Sequence, residues 1–272
     1  MRKILQYLLI VLKVGFPILF SNSYTSKYLK HPERYTLEEK FARIQKLIRK
    51  VVKAFKVDVH IINPEYKEEL QGRYLTISNH LSMFEALVYI AVSDKPITFA
   101  AKEETLNMPF VGKIFRCLNG VALDRKNVMN QLAEIKQIVN QIKNESMPLM
   151  FIFPEGTRNK TPEGKCLEYK GGSLKLAYMA KVPILPISTF GSFRILSKKH
   201  YLKRYPIFIK YDKPIYPDDY KDIAAVDLAT KIQLRTDENV NGLRLLDKVE
   251  IEAQDLSKKR KEKETSVDDI NA

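Results

Sequence analysis

The chain has 272 residues, with 46 Lys and Arg against 32 Asp and Glu, a formal charge of +14 and a pI of 9.5. That length buries a core in one large domain or two small ones, and the charge favours an anionic partner, either nucleic acid or the anionic face of a membrane. Two well-separated cysteines, Cys117 and Cys166, and four histidines, His31, His60, His80 and His200, argue against a zinc cluster or a disulfide framework.

From Ile4 to Phe20 the chain is mostly apolar, preceded by Arg2 and Lys3 and interrupted by Lys13, Gly15 and Pro17. A spanning helix needs about 20 apolar residues, and a signal peptide needs an unbroken apolar run before a small-residue cleavage site. The pattern fits better a segment dipping into one leaflet, broken at Pro17, with Lys13 reaching the headgroups. One true span and a plain soluble helix stand as alternatives. Thr36-Leu37-Glu38-Glu39 has capping-box spacing and opens a second helix. Phe41, Ile44, Leu47, Ile48, Val51, Val52 and Phe55 recur at helical period, with Arg43, Lys46, Arg49, Lys50 and Lys53 on the polar side. Such a helix suits a membrane surface or packs its apolar stripe on a core, and the two are compatible. Residues 1–54 are read as a membrane-associating unit.

Residues 55–217 alternate between strand and helix. Phe55 to Ile62, Arg73 to Ile77, Ile97 to Ala101, Gly120 to Leu123, Leu149 to Phe153, Ile184 to Ser188 and Ile207 to Tyr211 read as strands, and Val128 to Ile142 and Ser173 to Ala180 as helices. This pattern predicts an α/β fold with a largely parallel sheet flanked by helices. Residues 218–272 lose the strand pattern, and Lys258 to Glu264 is a mixed charge run, so this extension reads as partly helical or disordered.

Four segments carry candidate chemistry. Ser78-Asn79-His80-Leu81-Ser82-Met83-Phe84-Glu85 follows a strand and precedes an apolar helix, the place where α/β folds put ligands. If the helix begins near Ser82, Glu85 reaches back to His80, giving a base and the group that orients it. Equally, Ser82-x-x-Glu85 is a capping box whose carboxylate only satisfies helix-start amides. Gly120 to Leu123 ends in Asp124-Arg125, and an arginine fork suits phosphate. Phe153-Pro154-Glu155-Gly156-Thr157-Arg158 is a turn with a carboxylate, a hydroxyl and a guanidinium, readable as a phosphate loop or as an ordinary exposed turn. Val182-Pro183-Ile184-Leu185-Pro186 is a strand framed by prolines, read as a structural wall for an apolar ligand.

Taken in order, these segments resemble the four motif blocks of the PlsC-type 1-acyl-glycerol-3-phosphate acyltransferases, over residues 55 to 215. Ala101-Lys102-Glu103-Glu104 and Pro109-x-x-Gly112 resemble the family's link between its first two blocks. The family's first block is His-x-x-x-x-Asp, whereas this chain carries Glu85 at the acidic position. The resemblance implies the glycerolipid acyltransferase fold and transfer of a fatty acyl group to the sn-2 hydroxyl of lysophosphatidic acid. The donor would be acyl-CoA or an acyl carrier protein thioester, giving phosphatidic acid in phospholipid biosynthesis. It implies His80 as general base, Glu85 as its orienter, and Arg125 and Arg158 as phosphate ligands with Lys102 in support. Gly156 and Thr157 would shape the loop, and Glu155 would position the acceptor. No cofactor or metal and no nucleic acid is expected, and the enzyme should sit on the phospholipid surface at the cytoplasmic face of the cell membrane. Alternatives are a related acyltransferase using another lysophospholipid or glycerol-3-phosphate, and a non-catalytic membrane-binding protein of the same fold.

Overall fold

A computed structural model describes residues 2–123, 128–161, 165–197 and 202–268. The first helix, α1 (Arg2–Lys30), is continuous through Pro17, where the sequence suggested a break. A proline removes one helical hydrogen bond and crowds the preceding turn. Here the following turns are fixed by packing, since Tyr24, Thr25 and Tyr28 are buried against α2 (Leu37–Ala54) and α5 (Val111–Cys117). No helix among the described residues is long and apolar enough to cross a membrane.

The capping box at the start of α2 is formed: the Thr36 N–H donates to Glu39 Oε2 at 2.8 Å and the Glu39 N–H to Thr36 Oγ1 at 3.2 Å. Phe41, Ile44, Leu47, Ile48, Val51 and Val52 are all buried, each stabilising by about 1.5–3 kcal/mol before entropy is counted. The apolar stripe of α2 is therefore committed to the protein core. Only its basic side, with Arg43, Lys46, Lys50 and Lys53 exposed, faces outward.

Among the described residues seven strands form one sheet: β1 (Val57–Ile62), β2 (Leu75–Ser78), β3 (Ile97–Lys102), β4 (Val121–Leu123), β5 (Leu149–Ile152), β6 (Ile184–Phe190) and β7 (Tyr205–Tyr211). The order is β1-β7-β6-β2-β5-β3-β4, parallel throughout except for the antiparallel β6–β7 pair. The short α3 (Glu65–Glu68) follows β1, and α4 (Phe84–Val92) follows β2. α1, α2, α4 and α5 cover one face, where Ile44, Val88, Phe151 and Ile187 share a core. α6 (Val128–Lys143), α7 (Gly171–Ala180), α8 (Pro217–Tyr220) and α9 (Ala225–Asp268) join the other, around Ile142, Met150, Leu174, Tyr220 and Ile232.

The segment after residue 217 is not an appendage. α9 packs on α7, β6 and β7 and buries Leu228, Ala229, Ile232, Val240 and Leu243. Its apolar spacing is thinned by buried Thr236, Asn239 and Asp247, which hid the packed face from a pattern of hydrophobic residues alone.

Candidate active site

The register of the central strands fixes the site. β2 and β5 pair in parallel with Leu75 opposite Met150 and Ile77 opposite Ile152, so the chains leaving both carboxyl ends run on side by side. At the exit of β2, Asn79 is clamped to β6: its Nδ2 donates to the Thr189 carbonyl at 3.0 Å and its Oδ1 accepts the Thr189 N–H at 2.8 Å. His80 follows this anchor. α4 starts only at Phe84, so Glu85 lies in its first turn and reaches back, with Oε2 2.8 Å from His80 Nδ1. The same carboxylate accepts the Leu81 N–H at 2.9 and 3.1 Å and the Ser192 hydroxyl at 2.5 Å, and is 1% exposed. The Ser82–Glu85 capping box does not form: besides the ring, the carboxylate holds the Leu81 amide, which precedes Ser82. A carboxylate only accepts, so Nδ1 carries the proton and Nε2 is left as the basic nitrogen.

The loop after β5 supports the same residue. The Phe153 ring stacks on the imidazole at 4.0 Å and 21°. Glu155 is 2% exposed; Oε1 accepts the His80 N–H at 2.7 Å and Oε2 the Leu167 N–H at 3.2 Å. The sequence reading assigns Glu155 to positioning the acceptor. Both its oxygens are engaged by backbone amides, and it does not line the cavity described below. Burial pushes its carboxyl up to about 7, against the lowering effect of the two amides. Gly156 has φ +66°, a conformation glycine adopts without strain, and the turn brings exposed Thr157 and Arg158 to the outside. The Asn159 N–H then donates to the His80 carbonyl at 2.7 Å, closing the loop onto the histidine.

A cavity of about 500 Å³ lies between α4, β3 and α5, with Leu87, Ile90, Phe99, Ile114 and Phe115 among its walls. His80, Gly156, Thr157, Arg158 and Lys102 also line it, and of these Thr157, Arg158 and Lys102 are exposed. Size and lining match a site for a mostly apolar ligand with a few polar anchors. Val182 to Pro186 takes no part in it. β6 lies between β2 and β7, on the side away from β5 and β3, with Ile184 and Leu185 in the two cores, and Pro186 falls inside the strand rather than bounding it. Arg125 lies outside the described residues. No local pattern points to the Asn79–Thr189 clamp, 110 residues apart, or to Ser192, 107 residues from Glu85.

Residues 56–189 match the family described as Acyltransferase. The chain is 31% identical over 239 residues to a Mycoplasma pneumoniae protein named probable 1-acyl-sn-glycerol-3-phosphate acyltransferase, covering 83% of this chain and 87% of that one. It is 30% identical over 162 residues to a Cocos nucifera 1-acyl-sn-glycerol-3-phosphate acyltransferase, covering 59% of this chain and 52% of the plant protein, about half its length. In fold it is similar to the crystal structure of the 1-acyl-sn-glycerophosphate (LPA) acyltransferase PlsC from Thermotoga maritima, with a TM-score of 0.70 and 24% identity over 90% of this chain and 98% of that one.

Proposed function

Because the chain belongs to the PlsC-type 1-acyl-sn-glycerol-3-phosphate acyltransferase family, we propose that it moves a fatty acyl group from an acyl thioester to the sn-2 hydroxyl of lysophosphatidic acid, giving phosphatidic acid. The observation that carries this reading is the His80 Nδ1–Glu85 contact of 2.8 Å on a ring that lines an apolar cavity together with Lys102 and Arg158.

In the proposed reaction Nε2 of His80 takes the hydroxyl proton as the oxygen attacks the thioester carbonyl. The tetrahedral intermediate collapses and expels the thiolate, which receives that proton from the imidazolium. One ester forms and one thioester breaks, with no change of oxidation state. A thioester is already activated, so base catalysis and oxyanion stabilisation suffice and no enzyme nucleophile is needed. Arg158 and Lys102 bind the phosphate, joined by Arg125 on the strength of the sequence pattern, and Gly156 and Thr157 shape the loop. The cavity between α4, β3 and α5 houses an acyl chain. Glu155 acts through the His80 backbone rather than on the acceptor.

The protein works at an anionic membrane surface, at the cytoplasmic face. Exposed Lys46, Lys50 and Lys53 on α2 support this, as do Leu19 and Phe20, 75% and 56% exposed on α1.

The test is a purified-protein assay with lysophosphatidic acid and either acyl-CoA or acyl carrier protein thioester, beside a panel of other lysophospholipids and glycerol-3-phosphate. Phosphatidic acid and free thiol should appear in equal amounts, and His80→Ala should lower turnover by about a thousandfold. No product with either donor, near wild-type turnover from His80→Ala, or a higher kcat/KM for another acceptor would overturn the assignment.

A further inference from the structure

If Glu85 orients the base, the group that holds Glu85 matters as much, and it comes from neither motif. Glutamate has one more rotatable bond than aspartate, and freezing it costs side-chain entropy. Its carboxylate is 1% exposed, and a buried charge persists only where its lone pairs are met. Oε2 faces His80 Nδ1 and the Leu81 N–H; Oε1 receives the Leu81 N–H and the Ser192 hydroxyl. At 2.5 Å, the Ser192 bond is a charge-assisted contact at the short end of its range. We propose that Ser192 is a positioning residue for this enzyme's reaction, completing a Ser192–Glu85–His80 chain of hydrogen bonds that aims the basic nitrogen at the substrate hydroxyl. The proposal rests on the acyltransferase mechanism above.

The backbone around Ser192 is built to hold that hydroxyl still. β6 ends at Phe190, and Gly191 turns the chain at φ +101° into a short 3-10 turn, Ser192–Arg194. A Cβ on residue 191 would lie 2.3 Å from the Pro206 carbonyl oxygen, so β7 closes the space that any side chain there would need. Two residues on, buried Arg194 pairs with buried Asp247 of α9, its guanidinium 4.8 Å over the Phe193 ring. The turn is thus gripped by β7 and by the C-terminal helix, and Ser192 is 0% exposed. Ser192 does not line the cavity. Its effect on substrate must therefore pass through Glu85 and His80.

The decisive variant is Ser192→Ala, which removes one oxygen and adds no bulk. Turnover should fall by roughly tenfold to a hundredfold, the cost of a base displaced by a fraction of an ångström to 1 Å, with KM for both substrates unchanged. Without the donated hydrogen bond the carboxylate holds the shared proton of the His80–Glu85 pair more tightly, so the acid limb of the kcat/KM profile should move to higher pH. Ser192→Thr, which restores a hydroxyl, should recover much of the rate. A purely structural serine would lower the unfolding midpoint and leave the pH profile in place. Wild-type kcat and pH profile in Ser192→Ala, alongside an inactive His80→Ala, would overturn this inference and leave the proposed reaction standing. An active His80→Ala would instead remove the reaction mechanism itself.

Discussion

The backbone N–H of His80 donates to Glu155 Oε1 at 2.7 Å, although the two residues lie 75 apart in the chain. Glu155 thus sets the height of the base in the site without touching its ring. Its second oxygen, on the Leu167 N–H at 3.2 Å, ties in the segment that leads towards α7. The two motif segments are held together at His80, the proposed base.

Glu155→Gln should therefore damage both stability and rate. An amide offers one acceptor oxygen where two backbone donors point, so one N–H is left facing an NH2 group. That loss at a buried position costs about 1–3 kcal/mol. A displacement of His80 approaching 1 Å lowers kcat by about a hundredfold. Denaturant unfolding and steady-state kinetics on the same preparation check this. Unchanged kcat in a destabilised protein would mean that Glu155 holds the fold but not the base.

The same group gives a pH signature. Burial raises the Glu155 carboxyl from 4.5 to about 7 in the folded protein, so the native state binds its proton more tightly than the unfolded chain does. The stability this contributes is fully present below pH 4.5 and is lost as pH rises through 7. Between those values the difference in unfolding free energy between the wild type and Glu155→Gln should change in that direction, and flatten above pH 7.5. A difference that is constant from pH 4.5 to 7.5 would show that the carboxyl titrates alike in both states.

The strands and the histidine motif were legible because short Val, Ile, Leu and Phe runs bounded by turn residues leave few alternatives for an α/β sheet. Glu85 could be placed beside His80 from spacing alone, since a carboxylate in the first turn of a helix faces the residues just before it. Glu155 was harder to place for a physical reason: a carboxylate in a Pro-Glu-Gly turn reads as exposed, and its bond to the His80 amide joins residues 75 apart in the chain. Pro17 was read as a break because the contacts of Tyr24, Thr25 and Tyr28 with α2 and α5 are tertiary. α9 was underrated because its buried face includes Thr236, Asn239 and Asp247, which no hydrophobic period marks.

Arg158→Ala should raise KM for lysophosphatidic acid well above any change in KM for the acyl donor, because the guanidinium is exposed beside the cavity. Arg158→Lys keeps the charge but not the planar fork, and should recover only part of the affinity. The wild-type KM should also rise with salt, as expected of an exposed ionic contact. If the donor KM moves more than the acceptor KM, Arg158 faces the thioester carrier instead.

Glu85 gives the sharpest separation of roles. Glu85→Gln keeps length and shape but loses the charge; with its amide oxygen on Leu81 and Ser192, its NH2 group faces His80 Nδ1 and cannot accept that proton. The imidazolium formed in the reaction then has no counter-charge, and kcat should fall by about two to three orders of magnitude. Glu85→Asp keeps the charge but draws the carboxylate back by one carbon–carbon bond, about 1.5 Å, which is too far to keep the contacts at 2.8 Å to Nδ1 and 2.5 Å to Ser192 together. Although aspartate is the residue of the family motif, it should therefore be slower than glutamate in this chain, by about a hundredfold if the ring follows the carboxylate. Unfolding midpoints would separate rate loss from loss of the helix start, because both variants keep an acceptor for the Leu81 N–H. An aspartate variant as fast as the wild type would mean that His80 is held by Phe153 and Glu155 alone, with the carboxylate following the ring rather than setting it.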